Sequence, residues 1–377
     1  MAIMMDNNNK RRLRGYYGFS KKYPTQRGTV YEIGESRKRR KKELRNKLLS
    51  AVLIIAMCVV ALILFFFCRD LSRKPIPEEP MHGNSTLVSA ENIGQIKALF
   101  IENSVLDDEN ALSKKLDSAK DGGFNSVMID FKDEDGAVLF PCSSVTTAYF
   151  EGKNRISQSV LEQIRSEGFT VIARIYCFRD SLAPQKTGAY VYADAERTEP
   201  WFDAPSALSG RVWLNPADAR AENYLLSVIS EASAFGADCI YLQGVEFPVS
   251  KENPPVFTED DASLSRNFIL LNFIEKAAEK SGKCPVILGF AFEGIDGDNE
   301  KWGGTLFDSA AAASSPEIPV SENYAKYAGD MWKVLNERAK NNFSTLKCIP
   351  TVKDQPENEG FYRELNENGA QSYIIIP

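Results

Sequence analysis

From residue 95 onward the chain alternates short, nearly continuous apolar runs with longer stretches in which apolar residues recur every three or four positions. The runs Ile96 to Ile101, Ser126 to Phe131, Thr170 to Phe178, Cys239 to Phe247, Pro285 to Phe292, Leu346 to Val352 and Ser372 to Ile376 predict strands buried on both faces. Amphipathic stretches at Glu109 to Asp121, Ser157 to Glu167, Ala217 to Phe235, Ala262 to Ser281, Tyr324 to Asn341 and Phe361 to Asn368 predict helices between them. Strand and helix in alternation imply a parallel sheet with covered faces. Seven strands fit a TIM-like (β/α)8 barrel, irregular in places, better than an open sheet, with the eighth strand hidden. Its expected place is Gly303 to Asn323, where Ala310-Ala-Ala-Ala-Ser-Ser315 and two prolines otherwise suggest a loop or weak helix at the rim. Gly168 and Gly236 each stand between a helix and a strand as left-handed terminators, and Gly122-Gly123 repeat the device. Asn215-Pro216 predicts a helix start, with Asn as cap and Pro in the first turn.

Charge divides the chain sharply. Residues 1 to 47 hold 15 Lys and Arg against 4 acids, a net of +11, whereas the remaining 330 residues hold 30 against 47, a net of −17. Between the two parts runs Leu48 to Cys68, 21 residues without a charge, long enough to cross roughly 30 Å of hydrocarbon as a helix. A cleaved signal peptide would have a shorter apolar region and a small-residue cleavage site, but Arg69-Asp-Leu-Ser-Arg73 follows here. Lipidation at Cys68 is disfavoured by the bulky Phe65, Phe66 and Phe67 before it. The expectation is one transmembrane helix at 48 to 68. The basic run Arg37-Lys-Arg-Arg-Lys-Lys42 keeps residues 1 to 47 in the cytoplasm, so the acidic part lies outside a single-pass cell-membrane protein. The basic tail, mostly disordered by composition, is expected to meet anionic lipid, and the acidic exterior argues against nucleic acid. Residues 69 to 94, with Pro75, Pro77, Pro80 and Gly83, read as an extracellular tether for a domain over 95 to 377.

The chemistry of that domain is narrowed by what it lacks. The single His, His82, sits in the tether, and the five cysteines of the exterior have no metal-type spacing, which leaves no histidine triad or zinc site and no expected cofactor. Cys177, Cys239 and Cys348 fall within apolar runs and read as small buried hydrophobes. Polar residues gather instead at the carboxyl ends of strands, where a barrel carries its chemistry. They are Glu102 and Asn103; Asp130, Lys132 and Asp133; Arg174, Arg179 and Asp180; Gln243 and Glu246; and Glu293 and Asp296. Asp130 and Arg174 are embedded in apolar strands, where an unpaired charge is costly, so each is either half of a salt bridge or a substrate contact. Carboxylates with an interior Arg and no metal or phosphate motif point first to carbohydrate, since glycoside hydrolysis needs two acids flanking the bond. Trp201, Trp213, Tyr241 and Trp302 are candidates either for stacking on sugar rings or for the core.

Four ordered blocks resemble a bacterial family of glycosyl-hydrolase domains, barrels distantly similar to α-amylase-type enzymes and common in secreted or membrane-anchored proteins. Asn125-Ser-Val-Met-Ile-Asp-Phe-Lys-Asp-Glu-Asp-Gly136 is similar to the family's Asn-x-x-Val-Ile-Asp-x-Lys-Asp-x-x-Gly, and Ala173-Arg-Ile-Tyr-Cys-Phe-Arg-Asp180 to its Ala-Arg-Ile-x-x-Phe-Lys-Asp. Trp213-Leu-Asn-Pro216 and Ile240 to Pro248 resemble its Trp-x-Asn-Pro and Ile-Gln-Phe-Asp-Tyr-Ile-Arg-Phe-Pro segments. The resemblance carries over Asp130, Lys132, Arg174, Asp180, Trp213 and Asn215. Where the family strand has Asp, this chain has Gln243, and the family's Arg is Glu246; an amide does not exchange a proton as a carboxyl does. Glu246, Asp130 and Glu293 are therefore the candidate catalytic acids, with Lys132, Arg174, Asp180, Trp213, Asn215 and Gln243 as candidate substrate contacts. Two expectations follow: a glycoside hydrolase acting on cell-wall or exogenous polysaccharide, or a degenerate barrel that binds glycan or a cell-envelope partner without hydrolysis.

Overall fold

Parallel pairing runs without a break around the domain. In the computed structural model β1 (Lys97–Phe100), β2 (Ser126–Lys132), β3 (Thr170–Tyr176), β4 (Cys239–Gln243), β5 (Val286–Ala291) and β6 (Ala313–Glu317) pair in sequence, each parallel to the next. β6 passes to the short β7 (Lys347–Cys348) and β8 (Thr351–Lys353), β8 to β9 (Tyr373–Ile376), and β9 back to β1. β7 and β8 share one stave, so the sheet is an eight-stranded closed parallel barrel, TIM-like, with helices interleaved. The structure describes residues 92–144, 156–204, 210–257, 265–295, 300–306, 309–318, 347–353, 367 and 372–376. The predicted span at 48 to 68, the basic tail, most of the tether and the helices predicted at 324 to 341 and 361 to 368 lie outside these, apart from Glu367, which is helical. No helix among the described residues is long and apolar enough to cross a membrane.

The hidden strand is β6, inside the segment where the sequence placed it. Its register pairs Ser314 with Cys348 and Glu317 with Thr351, which sets Pro316 opposite Pro350 in the gap between β7 and β8. Pro316 has no N–H to give to the Ile349 carbonyl, so the ladder breaks there, while Pro350 faces β9 and accepts the Ile374 amide at 2.9 Å. The hydroxyls of Ser315 and Thr351 bridge the gap at 2.6 Å, and Ser315 Oγ also donates to the Ile349 carbonyl.

Alternation along each strand divides the side chains into two cores. Inward positions Ala98, Phe100, Met128, Ile172, Cys239, Tyr241, Ile287, Ala313, Ile349, Ile374 and Ile376 fill the barrel, with Ile93 and Ile96 of the entering segment joining them. Outward positions such as Val127, Ile129, Val171, Ala173, Ile240, Leu242 and Leu288 meet α1 (Glu109–Asp121), α2 (Gln158–Ser166), α4 (Ala219–Phe235) and α5 (Arg266–Lys280) in the outer core, while a short α3 (Ala183–Thr187) follows β3. β5 is peculiar in its inward face: after Ile287 come Gly289 and Ala291. A Cβ on Gly289 would stand 2.3 Å from the Tyr241 hydroxyl, so the tyrosine of β4 crosses over β5 to reach Thr351 at 2.9 Å.

Two boundaries differ from the sequence pattern for local reasons. β4 stops at Gln243 and not at Phe247, because Gly244 takes φ +66 and turns the chain out of the sheet, leaving Glu246 on the following loop. α4 begins at Ala219, capped by Asp218, whose side chain accepts the Arg220 amide. Asn215 instead closes a local turn by accepting the Ala217 amide at 3.0 Å, so it is not the helix cap. The terminators Gly123, Gly168 and Gly236 do hold positive φ of +74, +88 and +124.

Candidate functional site

Above the last apolar layer the inward positions become polar together. Asp130 of β2, Arg174 and Tyr176 of β3, Gln243 of β4, Glu317 of β6 and Lys353 of β8 stand at the carboxyl ends of their strands. They line a cavity of about 530 Å³ with Glu102, Asn103, Asp133, Glu134, Arg179 and Glu246 from the loops, and with Phe100 and Ile376 from the strands. This is the end of a barrel at which loops from many strands converge on one space.

The floor on one side is a clamped ion pair. Asp130 and Arg174 are register partners, and the guanidinium donates twice to the carboxylate, Nε to Oδ1 at 2.5 Å and Nη2 to Oδ2 at 3.0 Å. The Arg174 guanidinium lies 4.1 Å from the centre of the Phe100 ring and 5.1 Å from that of Tyr176, and Asn103 joins the backbone of Asp130 in both directions at 2.8 and 3.2 Å. Burial pushes the Asp130 carboxyl up from its ordinary range against the pull of Arg174, while Arg174, despite burial, is held above its usual value by Asp130. A planar guanidinium between ring faces, with a bidentate partner, is fixed in orientation and permanently charged.

The opposite side carries two glutamates with different surroundings. Glu246 is held by Lys301, whose Nζ lies 3.3 Å from Oε2, and the Phe247 amide donates to the Lys301 carbonyl at 2.9 Å, so one lysine fixes the loop twice. Burial raises the Glu246 pKa above the ordinary glutamate value, Lys301 working against the rise and the charge of Glu317 adding to it. Glu317 accepts a hydrogen bond from the Gln243 amide, Nε2 to Oε1 at 2.7 Å, across the small Ala291 of β5. Gln243, the amide in the place of an expected acid, therefore serves another carboxylate. Glu134, nearer the rim, is held below its usual range by hydrogen bonding to Arg211.

Several candidates lie outside the cavity. Between Asp130 and Lys132 the register with β3 slips by one, so Lys132 pairs with the outward-facing Ile175. Such a bulge re-aims the side chain. Lys132 is fully buried, 2.8 Å from Asp180 and donating to the Tyr176 carbonyl at 2.7 Å. Asp180 uses its other oxygen to accept the amides of Leu182 and Ala183 ahead of α3. Gly136, at φ +100, leaves room for it: a Cβ there would fall 2.1 Å from Asp180 Oδ1. Asp133 accepts the amides of Asp135 and Ala137 and so makes the turn that brings Gly136 to that point. Trp213 is buried with its indole donating to Asp203 at 3.1 Å, and Asn215 is buried in its turn. Glu293 is exposed on a short 3-10 turn after β5 and does not line the cavity. Trp201, Trp302 and Tyr241 are at most 1% exposed, so the aromatic surface at the cavity comes from Tyr176 and Phe100. Among the described residues no three His, Cys, Asp or Glu side chains gather as a metal ion would require.

A family model described as Putative glycosyl hydrolase domain matches residues 98–301, more than half of the chain. The chain belongs to this family. It is a glycoside-hydrolase-like barrel domain, with β2 to β5, their intervening loops and most of β1 inside the matched segment. Solved structures that it resembles include a hypothetical protein from Ruminiclostridium thermocellum ATCC 27405, at 21% identity and a TM-score of 0.44, covering 50% of this chain and 96% of that one. A cycloisomaltooligosaccharide glucanotransferase from Paenibacillus sp. is 13% identical with a TM-score of 0.47, covering 71% of this chain and 39% of its own. Alpha-L-fucosidase isoenzyme 2 from Paenibacillus thiaminolyticus is 15% identical with a TM-score of 0.48, covering 75% and 46%. The chain thus spans less than half the length of these last two. No curated protein matches it.

The resemblance blocks separate into two groups of residues. Asp130, Arg174 and Gln243 face the cavity, whereas Lys132, Gly136, Asp180, Trp213 and Asn215 brace the loops beneath it. Glu317 and Tyr176 are cavity residues absent from the sequence candidates. Glu317 follows Ala313-Ser-Ser-Pro316, too short and too small in its side chains to read as a strand. Its signal was an acid beside a proline in the one segment that had to contain a strand.

Two outcomes follow. Lys132→Ala leaves Asp180 buried without its cation, and the full chain is expected to lose about 3 to 5 kcal/mol of stability by urea unfolding; an unchanged midpoint would contradict the bracing role. Glu246 has a folded pKa above its ordinary 4.5, so its proton favours the fold. The stability it supplies is complete below that ordinary value and is lost as pH rises through the folded pKa. Glu246→Gln is expected to be more stable than the parent near pH 7, with the gap closing near pH 4, read from unfolding midpoints at both.

Proposed function

We propose that the chain is a membrane-anchored, extracellular glycoside hydrolase that acts on a cell-wall or exogenous polysaccharide, with Glu246 as the proton donor. One observation carries the reading: a half-buried glutamate whose pKa is raised by desolvation shares a cavity at the carboxyl end of a barrel with further carboxylates. A carboxyl whose pKa is raised keeps its proton more readily than an ordinary glutamate and can give it to the departing oxygen as the glycosidic C–O bond breaks. Water supplies the hydroxyl that completes the sugar and the proton that restores the acid. Arg174, Tyr176 and Asn103 offer donors and a ring face to sugar hydroxyls. The anchor rests on the uncharged stretch 48 to 68 and the basic run before it.

The amide at Gln243 favours a second reading, a barrel that binds glycan or an envelope partner without cleaving it. Purified full-length protein on a broad glycan panel distinguishes them. The hydrolase is expected to release reducing ends, with Glu246→Gln lowering kcat by about 10² to 10⁴. Retention of glycan without cleavage supports the binding module, and neither binding nor turnover counts against both. In intact cells, added protease is expected to digest the part after residue 69 and to spare the basic tail. Digestion of the tail instead would reverse the topology.

A further inference from the structure

Resting on the hydrolase reading, we infer that Glu317 is the partner carboxylate of Glu246, the base that takes the proton of the attacking water, and that Gln243 is a positioning residue that orients it. The inference starts from β5. Its inward side chains drop from Ile287 to the small Gly289 and Ala291 toward the cavity, so side chains of β4 pass over it and touch those of β6 and β8. Tyr241 crosses above Gly289 to Thr351, itself bonded to Ser315; Gln243 crosses beside Ala291 to Glu317. The same bridging occurs twice, one layer apart, and the upper bridge ends on a carboxylate lining the cavity.

The chemistry of the upper bridge has one sense. The Gln243 side chain presents its NH₂ to a Glu317 oxygen at 2.7 Å, the arrangement that suits an acceptor-only carboxylate. An amide donor favours the charged form of its acceptor. A carboxylate at 243 would do the reverse: two like charges at one point would share a proton, and Glu317 would be lost as a base. The amide is thus compatible with catalysis if the working carboxylate is supplied by β6 and not by β4. Glu246 lines the same cavity from the loop after β4 and is half-buried against Lys301. Two glutamates thus line one cavity from different elements, Glu246 from a loop and Glu317 from β6.

In the reaction, Glu246 protonates the leaving oxygen as its bond to the anomeric carbon breaks. A water oxygen bonds to that carbon while its proton passes to Glu317. One water is consumed, and proton return from Glu317 to Glu246 through solvent closes the cycle.

Four variants of the full chain test this: Glu317→Gln, Glu317→Ala, Gln243→Leu and Gln243→Glu. On a cleaved glycan, Glu317→Gln is expected to lower kcat by about 10² to 10⁴ with KM and thermal midpoint little changed. Formate or azide is expected to restore turnover to Glu317→Ala. Gln243→Leu and, more strongly, Gln243→Glu are expected to move the acidic limb of the kcat profile to higher pH, a shift that a merely structural contact would not produce. Full activity in Glu317→Gln, or an unmoved limb in both Gln243 variants, overturns the inference. An arm independent of turnover uses the cationic iminosugars 1-deoxynojirimycin and isofagomine, titrated calorimetrically. The parent is expected to bind at least one, and Glu317→Gln at least about 10-fold more weakly, the salt-linked hydrogen bond being lost. Equal binding by the two, or none by the parent, overturns the inference. A parent that binds an iminosugar through Glu317 yet cleaves no glycan sinks the hydrolase reading while leaving Glu317 as the ligand-facing carboxylate.

Discussion

The buried ion pair of Lys132 and Asp180 is the constraint on which the rim of this barrel depends. Both side chains are sealed from solvent, so each needs the other, and each is also committed to backbone: Lys132 to the Tyr176 carbonyl, Asp180 to two amides ahead of α3. The pair ties the turn after β2 to the loop after β3. A bulge in β2 is what turns Lys132 outward to make it, and the same slip leaves Asp130 facing inward against Arg174. One irregularity therefore divides a short run of polar residues between bracing and the cavity. Replacing half of such a pair leaves an uncompensated charge, a larger penalty than the intact pair gains over an apolar substitute.

The opposite wall works by subtraction. Gly289 and Ala291 give β5 almost no inward bulk, and this allows hydroxyl and amide groups of β4 to meet partners on β6 and β8. A larger residue at either place would separate those partners before altering any polar group. The polar network in the barrel thus depends on what β5 omits. Pro316 at the β6 gap follows the same logic, since the ladder bond it cannot donate to the Ile349 carbonyl is replaced by one from the Ser315 hydroxyl.

Much of the fold was legible because burial leaves long apolar runs. β2 and β3 begin where the pattern places them, α1 has the expected bounds, and the eighth stave lay in the segment set aside for it. What resisted reading was direction. A period of two aims Lys132 into the cavity beside Asp130, and only the pairing with β3 reveals the slip that turns it away. Gly244 likewise ends β4 early, a matter of φ that the apolar run through Val245 and Phe247 conceals. Glu317 was missed for the converse reason: its strand is made of Ala, Ser and Pro, held by neighbours rather than by its own propensity. Cavity residues such as Asp130, Arg174, Gln243 and Glu246 were visible as charge or amide at the end of apolar strands. Lys132, Asp180, Trp213 and Asn215 had the same appearance and face structure instead.

The turn at Gly244 has a consequence for how such a site can diverge. Carboxylates fixed to neighbouring staves have a spacing dictated by the barrel, whereas Glu246 rides on a loop whose height is set by its contacts with Lys301. In glycoside hydrolysis the gap between the two acids decides whether the sugar keeps or inverts its configuration, with a difference of only a few ångströms between the two courses. On the proposed hydrolase reading, a change in that loop alone carries a descendant of this chain from one stereochemical outcome to the other, with every strand left in register.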